Sequence, residues 1–365
     1  MDYPHQFITA SLLYDCNKAC KHCYRTAIPS DQEFKLNKTE AMHFLNDASS
    51  IDTACVFTGG ECTIWKDADM DFLDLLQRAV KQNGRASFLS NGFVFEHQDY
   101  SNEWIDRYMQ DCGIPLQMWF TVDFFHGNYN FQEKRIPFLD NLLQARNQYA
   151  SNRTITFAII CHWTKDDNKN VPIEIFETYA KEGVHYNIDD FMTWGRASKL
   201  DNLSCFVQVG SSDKSHLGPY KDILTYKMIQ SEKIKNENEL ITLSNRELLR
   251  RLSVCGKSPN FFTSWGSRYY YCIPQMGYDW FVVSELGQLN LSAIEQFYAN
   301  RPVIKDIQKL TIFGVLDKYR EYISTSVLED IESMKESIRF AGCSVCLRLC
   351  KHGILQKINQ RLIDK

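Results

Sequence analysis

Cys16, Cys20 and Cys23 fall at C-x3-C-x2-C spacing in a short loop that ends at Tyr24 and follows an apolar stretch holding Phe7, Ile8, Leu12 and Leu13. A loop this tight can aim three sulfurs at one point. Three thiolates on a four-iron, four-sulfur cluster leave one iron without a protein ligand, and so open to a small molecule. A zinc ion would ask for a fourth Cys or His nearby, and His22 is the one local candidate. A second group comprises Cys255, Cys272, Cys343, Cys346 and Cys350. Four cysteines of that group could hold a further iron–sulfur cluster, and in isolation they suit a structural zinc equally well. Cys55, Cys62, Cys112, Cys161 and Cys205 are scattered and read as buried thiols.

The bulk numbers narrow the setting. Thirteen cysteines in a chain without an export signal argue for metal or cluster ligation in a reducing compartment, not for disulfides. A cytoplasmic location is therefore expected. The 365 residues allow one large or two ordinary domains, and 44% apolar with 24% charged residues is the balance of a soluble globular protein. A net charge of −4 gives no reason to expect a nucleic-acid or membrane partner, and no apolar run is long enough to span a bilayer.

The elements that must position these cysteines alternate. Strand patterns over 6–13, 53–58, 85–90, 116–123, 154–161 and 184–191 are each followed by a loop. Helical patterns lie between them, from about Thr39, around Phe72–Ala79, and over 101–111, 136–149 and 172–182. Six strands alternating with helices argue for a parallel sheet with helices outside, and are too few for an eight-stranded barrel. In such folds the reactive residues gather at the carboxyl ends of the strands. The cysteine loop, Gly59-Gly60-Glu61, Ser90-Asn91-Gly92, Asp123 and Trp194-Gly195-Arg196-Ala197 all fall at strand ends. Residues 198–245 read as a connecting region and 246–365 as a C-terminal unit. In that unit a helix over 245–251, a strand at Tyr269–Tyr271 and a returning strand at Trp280–Val283 precede roughly 60 mostly helical residues and the last cysteines.

The cysteine loop after the first strand and the Gly-Gly-Glu after the second resemble the radical S-adenosylmethionine (SAM) superfamily. The resemblance implies a partial (β/α)6 TIM-like barrel over 1–197. It also implies a [4Fe-4S] cluster whose open iron is chelated by the amino and carboxylate groups of SAM, and an external electron donor of flavodoxin or ferredoxin type. Reduction then cleaves SAM to a 5′-deoxyadenosyl radical. By the same resemblance Gly59, Gly60 and Glu61 bind the SAM amino group, although Cys62 stands where many relatives carry proline. Ser90 and Asn91 lie by the ligand, Asp123 contacts the SAM ribose or lies beside substrate, Arg196 pairs with the SAM carboxylate, and the backbone of Tyr24 meets the adenine. The hairpin, helices and C-x2-C resemble the Twitch domain, the shortened form of the SPASM domain. That likeness implies an auxiliary [4Fe-4S] cluster on Cys255, Cys272, Cys343 and Cys346, with Cys350 spare or replacing one of the last pair.

Three functions are open. The Gly-Arg-Ala element and the Twitch-like unit lean toward a maturase that crosslinks or dehydrogenates a ribosomally made peptide. The first strand begins so near the start that a leader peptide would need another surface or a separate leader-binding protein. A radical SAM dehydrogenase or epimerase acting on a sugar or aminocyclitol is the alternative. A non-catalytic cluster sensor would have no need of the Gly-Gly-Glu element. Asp123 and His126 are the candidate catalytic residues, facing substrate with Phe124, and Glu285 is a further acid/base by type. Aromatic pieces at 119–120, 124–125, 261–262, 269–271 and 278–281 are candidates to line a groove.

Overall fold

The computed structural model describes residues 7–23, 27, 29, 34–150, 153–162, 164, 169–189, 206–208, 235–236, 238–239, 243, 247–248, 263–271, 279–337 and 341–364. Six strands lie side by side in chain order: β1 (Phe7–Ser11), β2 (Ala54–Thr58), β3 (Ala86–Ser90), β4 (Leu116–Thr121), β5 (Ile155–His162) and β6 (His185–Asp189). All five pairings are parallel. Helices α1 (Lys38–Ser50), α2 (Phe72–Asn83), α3 (Gln98–Asp111), α4 (Pro137–Asn147) and α5 (Ile173–Ala180) make the crossovers. Unbroken chain order means that every crossover steps the same way across the sheet. Right-handed crossovers then place all the helices on one face, which is how a sheet curls toward a barrel instead of being wound from both sides. The expected parallel six-stranded α/β architecture is present, with strand ends within a residue or two of the sequence pattern.

Local chemistry explains where the elements begin. Asn37 and Glu40 form a reciprocal capping box on α1, and Asp71 with Asp74 does the same on α2. Gly84 closes α2 in the left-handed region. The face of α2 carrying Phe72, Leu75, Leu76 and Ala79 is buried, as its spacing predicts. Phe44, Phe57, Phe72, Phe88, Phe120 and Phe138 form a chain of ring contacts through the core, with neighbouring centroids 4.9–6.4 Å apart.

The C-terminal strands depart from expectation. The hairpin was expected to belong to a unit of its own, yet it is hydrogen-bonded into the same sheet. Strand β7 (Thr263–Trp265) pairs parallel with β1, β8 (Arg268–Tyr270) turns back on β7, and β9 (Val282–Glu285) follows antiparallel, making nine strands. The returning strand starts two residues later than its pattern, because Asp279–Phe281 forms a 3-10 turn. Beyond it come α6 (Leu291–Ala299), α7 (Pro302–Lys318), α8 (Thr325–Ser333), α9 (Ala341–Lys351) and α10 (Ile354–Ile363), with α7, α9 and α10 packed on one another. Residues 206–208 pair antiparallel with 335–337. Of the helix expected over 245–251, only residues 247–248 are described, and they are helical. Among the described residues no helix is long and apolar enough to cross a membrane.

Helix α1 is tied to the segment after β9. The buried Asp47 carboxylate accepts the Gly287 N–H at 2.7 Å, and the Ser50 hydroxyl donates to the Leu289 carbonyl at 2.7 Å. Burial pushes the Asp47 carboxyl up, and the bond from Gly287 only partly offsets it. A folded-state pKa above the unfolded value means that the folded chain holds the proton longer. Stability from this group therefore falls as pH rises from the ordinary 3.8 through the raised value. Asp47→Ala, which strands the buried Gly287 N–H, is expected to cost about 1–3 kcal/mol in urea unfolding. Asp47→Asn should cost less and flatten that part of the pH dependence. Equal losses in the two variants would show that Asp47 contributes only by its packing.

Candidate functional site

The site is assembled where the carboxyl ends of β1–β5 meet. Gly60 N–H donates to the Leu13 carbonyl at 2.7 Å and Glu61 N–H to the Asp15 carbonyl at 3.0 Å, so the turn after β2 is laid along the chain entering the cysteine loop. Both glycines are required by this approach. Gly59 has φ +142°, and a Cβ there would lie 2.5 Å from the Leu13 carbonyl oxygen. A Cβ on Gly60 would lie 2.2 Å from the oxygen of Asp15 and 2.5 Å from that of Tyr14. These are backbone atoms with nowhere to move. In this structure the Gly-Gly pair therefore brings two stretches of main chain together.

Glu61 is buried and clamped. Its Oε1 accepts the Thr63 hydroxyl at 2.6 Å and the Thr63 N–H at 3.2 Å, and its Oε2 accepts the Asn91 N–H at 2.8 Å. Burial raises its pKa despite these bonds, so a cationic group placed beside it would favour the carboxylate. Asn91 reaches back to the cysteine loop, its Nδ2 donating to Asn17 Oδ1 at 2.8 Å and approaching Cys16 Sγ at 3.8 Å. Ser90 accepts the Gly92 N–H at 3.0 Å and shapes the turn. The buried Asn128, which the sequence reading missed, donates to the carbonyls of Asn91 (2.8 Å) and Thr121 (2.7 Å) and so joins the ends of β3 and β4.

Asp123, just beyond β4, is the electrostatic centre. It is 1% exposed. Its Oδ1 accepts the N–H groups of Phe125 (2.9 Å) and His126 (3.0 Å). Its Oδ2 faces three imidazoles: His126 Nδ1 at 2.9 Å, His162 Nδ1 at 3.2 Å and His22 Nε2 at 3.6 Å. Burial opposes ionisation of Asp123, but the charges of His126 and His22 and the close approach of the His126 and His162 nitrogens outweigh it, holding the carboxyl well below the usual range. For His126, burial disfavours the cation, yet Asp123 and the Cys20 thiol carry its pKa up to about 10. His22, considered as a fourth zinc ligand, is instead directed at Asp123. His162 was missed because the strand pattern was ended at Cys161, one residue short of the strand-end position that marks the other site residues.

The cysteine loop fits a cluster. Cys16 Sγ accepts the Lys18 N–H at 3.4 Å, and burial pushes its thiol up to about 12, with the nearby Glu61, Cys20 and Cys23 adding to the rise. Thiols that oppose one another's ionisation need bound cations to ionise together. A single tetrahedral zinc would need its thiolates about 3.8 Å apart. Among the described residues, the group of three ligating atoms within 4.8 Å of one another is that of His22, Asp123 and His162, not the three sulfurs. The three sulfurs are thus not gathered about a single small ion. Beside the loop the Asn17 Nδ2 and Asn128 Oδ1 atoms are buried without a hydrogen-bond partner, as polar atoms awaiting a ligand would be.

Tyr24, Arg196, Cys255 and Cys272 lie outside the described residues, as do Phe261, Phe262, Tyr278 and Cys205. Cys343, Cys346 and Cys350 share one buried face of α9 at i, i+3 and i+7, and the Gln356 side chain donates to Cys350 Sγ at 3.5 Å. Glu285 is no part of the site. It lies on β9 and pairs with Arg268 at 3.0 Å. Phe120, Tyr269, Tyr270, Tyr271 and Phe281 are core, whereas Phe124 (45% exposed) and Phe131 (63% exposed), in the loop after β4, face solvent.

No protein-family model matches the chain, and no curated protein does. Among solved structures it is similar to BtrN, determined in complex with AdoMet and 2-DOIA, at 12% identity with a TM-score of 0.39 over 87% of this chain and 91% of that one. It is also similar to coproporphyrinogen III oxidase (HemN) from Escherichia coli, described as a radical SAM enzyme, at 12% identity with a TM-score of 0.38 over 97% and 89%. At these values neither supplies a residue role, and the site stands on its own geometry.

Gly60→Ala should push the chain at 14–15 away and lose iron from the anaerobically loaded protein while its circular dichroism stays native. Gly84→Ala meets no atom within 4 Å and should cost about 1 kcal/mol through its backbone conformation alone, with full iron content. Iron counts that match between the two variants would refute the positioning role of Gly60.

Proposed function

We propose that the chain is a radical SAM enzyme that modifies its substrate oxidatively. One observation carries the reading: the three-cysteine loop, the Gly-Gly-Glu turn and the strand-end Asn91 are locked into one constellation by Gly60–Leu13, Glu61–Asp15, Glu61–Asn91 and Asn91–Asn17 hydrogen bonds, and His22 of the same loop faces Asp123 at 3.6 Å. Cys16, Cys20 and Cys23 would hold the [4Fe-4S] cluster, and Glu61, Asn91 and Asp123 would line the SAM pocket. The cluster, when bound, supplies the electron that cleaves SAM to a 5′-deoxyadenosyl radical. The protein's own part is placement. The Lys18 N–H and Asn91 side chain direct positive dipoles at Cys16 Sγ, the clamped Glu61 offers a carboxylate to an ammonium group, and Asp123 keeps a negative charge at the barrel mouth. An auxiliary cluster on Cys343 and Cys346 with Cys255 and Cys272 would take the electron left by substrate oxidation. Cys350, bonded by Gln356, is the spare.

The substrate we infer is a peptide, for which the exposed Phe124, next to Asp123, and Phe131, further along the same loop, offer apolar surface. The second reading, a sugar or aminocyclitol, is favoured by the three imidazoles gathered on one buried carboxylate, a polar lining suited to hydroxyl and amino groups.

Anaerobically loaded wild type should convert SAM to 5′-deoxyadenosine when reduced, and the Cys16/Cys20/Cys23→Ala variant should form none. Equal product from both would end the cluster assignment. Cys343→Ala/Cys346→Ala should keep abortive SAM cleavage but make no modified substrate. Iron should fall from about eight to about four per chain, the content of one four-iron cluster. Substrate-dependent deoxyadenosine with an aminocyclitol, and with no peptide encoded beside the gene, would replace the peptide reading by the second one.

A further inference from the structure

The two oxygens of Asp123 are used differently. Oδ1 is saturated by two backbone N–H groups that fix the plane of the carboxylate. Oδ2 receives no backbone donor and is instead the point on which imidazole nitrogens from three separate segments converge. Those segments are the cysteine loop (His22), the loop after β4 (His126) and the end of β5 (His162). Hydrogen bonding alone serves this arrangement poorly. His126 Nδ1 is the nearest, 2.9 Å from Oδ2, but the pair does not have the geometry of a hydrogen bond.

A cation serves it better. Nitrogen and oxygen ligands about 2.0–2.1 Å from a tetrahedral zinc lie about 3.3–3.4 Å from one another. His162 Nδ1 and His22 Nε2 stand 3.2 and 3.6 Å from Asp123 Oδ2, and the three atoms lie within 4.8 Å of one another. A ligating carboxylate held by outer hydrogen bonds is the usual support of such a site, and here the Phe125 and His126 N–H groups provide it. The side chains of His22 and Asp123 are buried, while that of His162 is 25% exposed, which leaves a way in.

We propose that His22, Asp123 and His162 form a mononuclear binding site for a divalent transition metal, with an open position toward the mouth and His126 as a supporting side chain. Two imidazoles and one carboxylate suit zinc or iron(II) and discriminate against calcium and magnesium, which want all-oxygen shells. A metal there would act as a Lewis acid, taking a hydroxyl or amino group in its open position. That use as a substrate anchor rests on the function proposed above, but the metal site itself does not.

The test uses the full chain, anaerobically loaded with iron and sulfide, then dialysed against buffered zinc, with zinc and iron counted per chain. Wild type should hold one zinc more than His162→Gln or Asp123→Asn at unchanged iron. X-ray absorption at the zinc edge should show the zinc lost in the variants to have nitrogen and oxygen neighbours at about 2.0–2.1 Å and no sulfur at about 2.3 Å. Equal zinc in all three proteins, or sulfur in the shell of the lost zinc, would overturn the site and leave Asp123 the centre of an ion-pair cluster. SAM cleavage is not measured, so failure here leaves the proposed enzyme class untouched.

Discussion

Everything at the mouth depends on one close approach of main chain to main chain. The cysteine loop has no regular secondary structure to hold it, so its position must come from outside. The turn after β2 provides this through two backbone hydrogen bonds, to Leu13 and Asp15, and this is sterically feasible only because positions 59 and 60 lack a Cβ. Side chains extend the lock outward. Glu61 binds the Asn91 N–H, Asn91 binds Asn17, and Asn128 binds the Asn91 carbonyl and the end of β4. Three strand ends are thereby referred to a single loop, so a shift of one is felt by all.

A second constraint is electrostatic. Burying a carboxylate would ordinarily neutralise it. Glu61 and Asp123 are both buried within this constellation and end in opposite conditions. Glu61 meets only neutral donors, and burial prevails; Asp123 meets imidazoles, and their charge prevails. The site thus holds one carboxylate that calls for a cationic visitor and one already faced by imidazoles. An environment with fixed dipoles and a fixed buried anion need not rearrange when charge is brought close to it.

Much of this was legible in the chain. Each βα unit of 6–189 carries its own punctuation, so the six parallel strands and the strand-end residues Cys16, Glu61, Asn91 and Asp123 could be placed from local pattern alone. What escaped notice depended on distance. His162 was lost by ending β5 one residue early, and Asn128 carries no signal other than a polar residue in a loop. The glycines were read for ligand approach, whereas their immediate neighbours are the carbonyls of 13–15, a contact between separate strands that spacing does not encode. Glu285 was a guess by residue type, and its partner Arg268 lies across a strand pair whose register was not foreseen.

The C-terminal strands make the same point on a larger scale. Nothing in residues 263–285 announces that β7 will lie parallel beside β1, more than 250 positions earlier in the chain, because a parallel neighbour needs no turn motif to mark it. The consequence is mechanical. The strand that delivers the cysteine loop has neighbours on both edges, β2 and β7, so it is a central strand and not a fraying rim. The same extension, pinned to α1 through Asp47 and Ser50, carries the chain on to the helices that hold Cys343 and Cys346. Those thiols therefore stand on a scaffold continuous with the one that holds the first three. Continuity of this kind ties the placement of the two sets of thiols to one sheet.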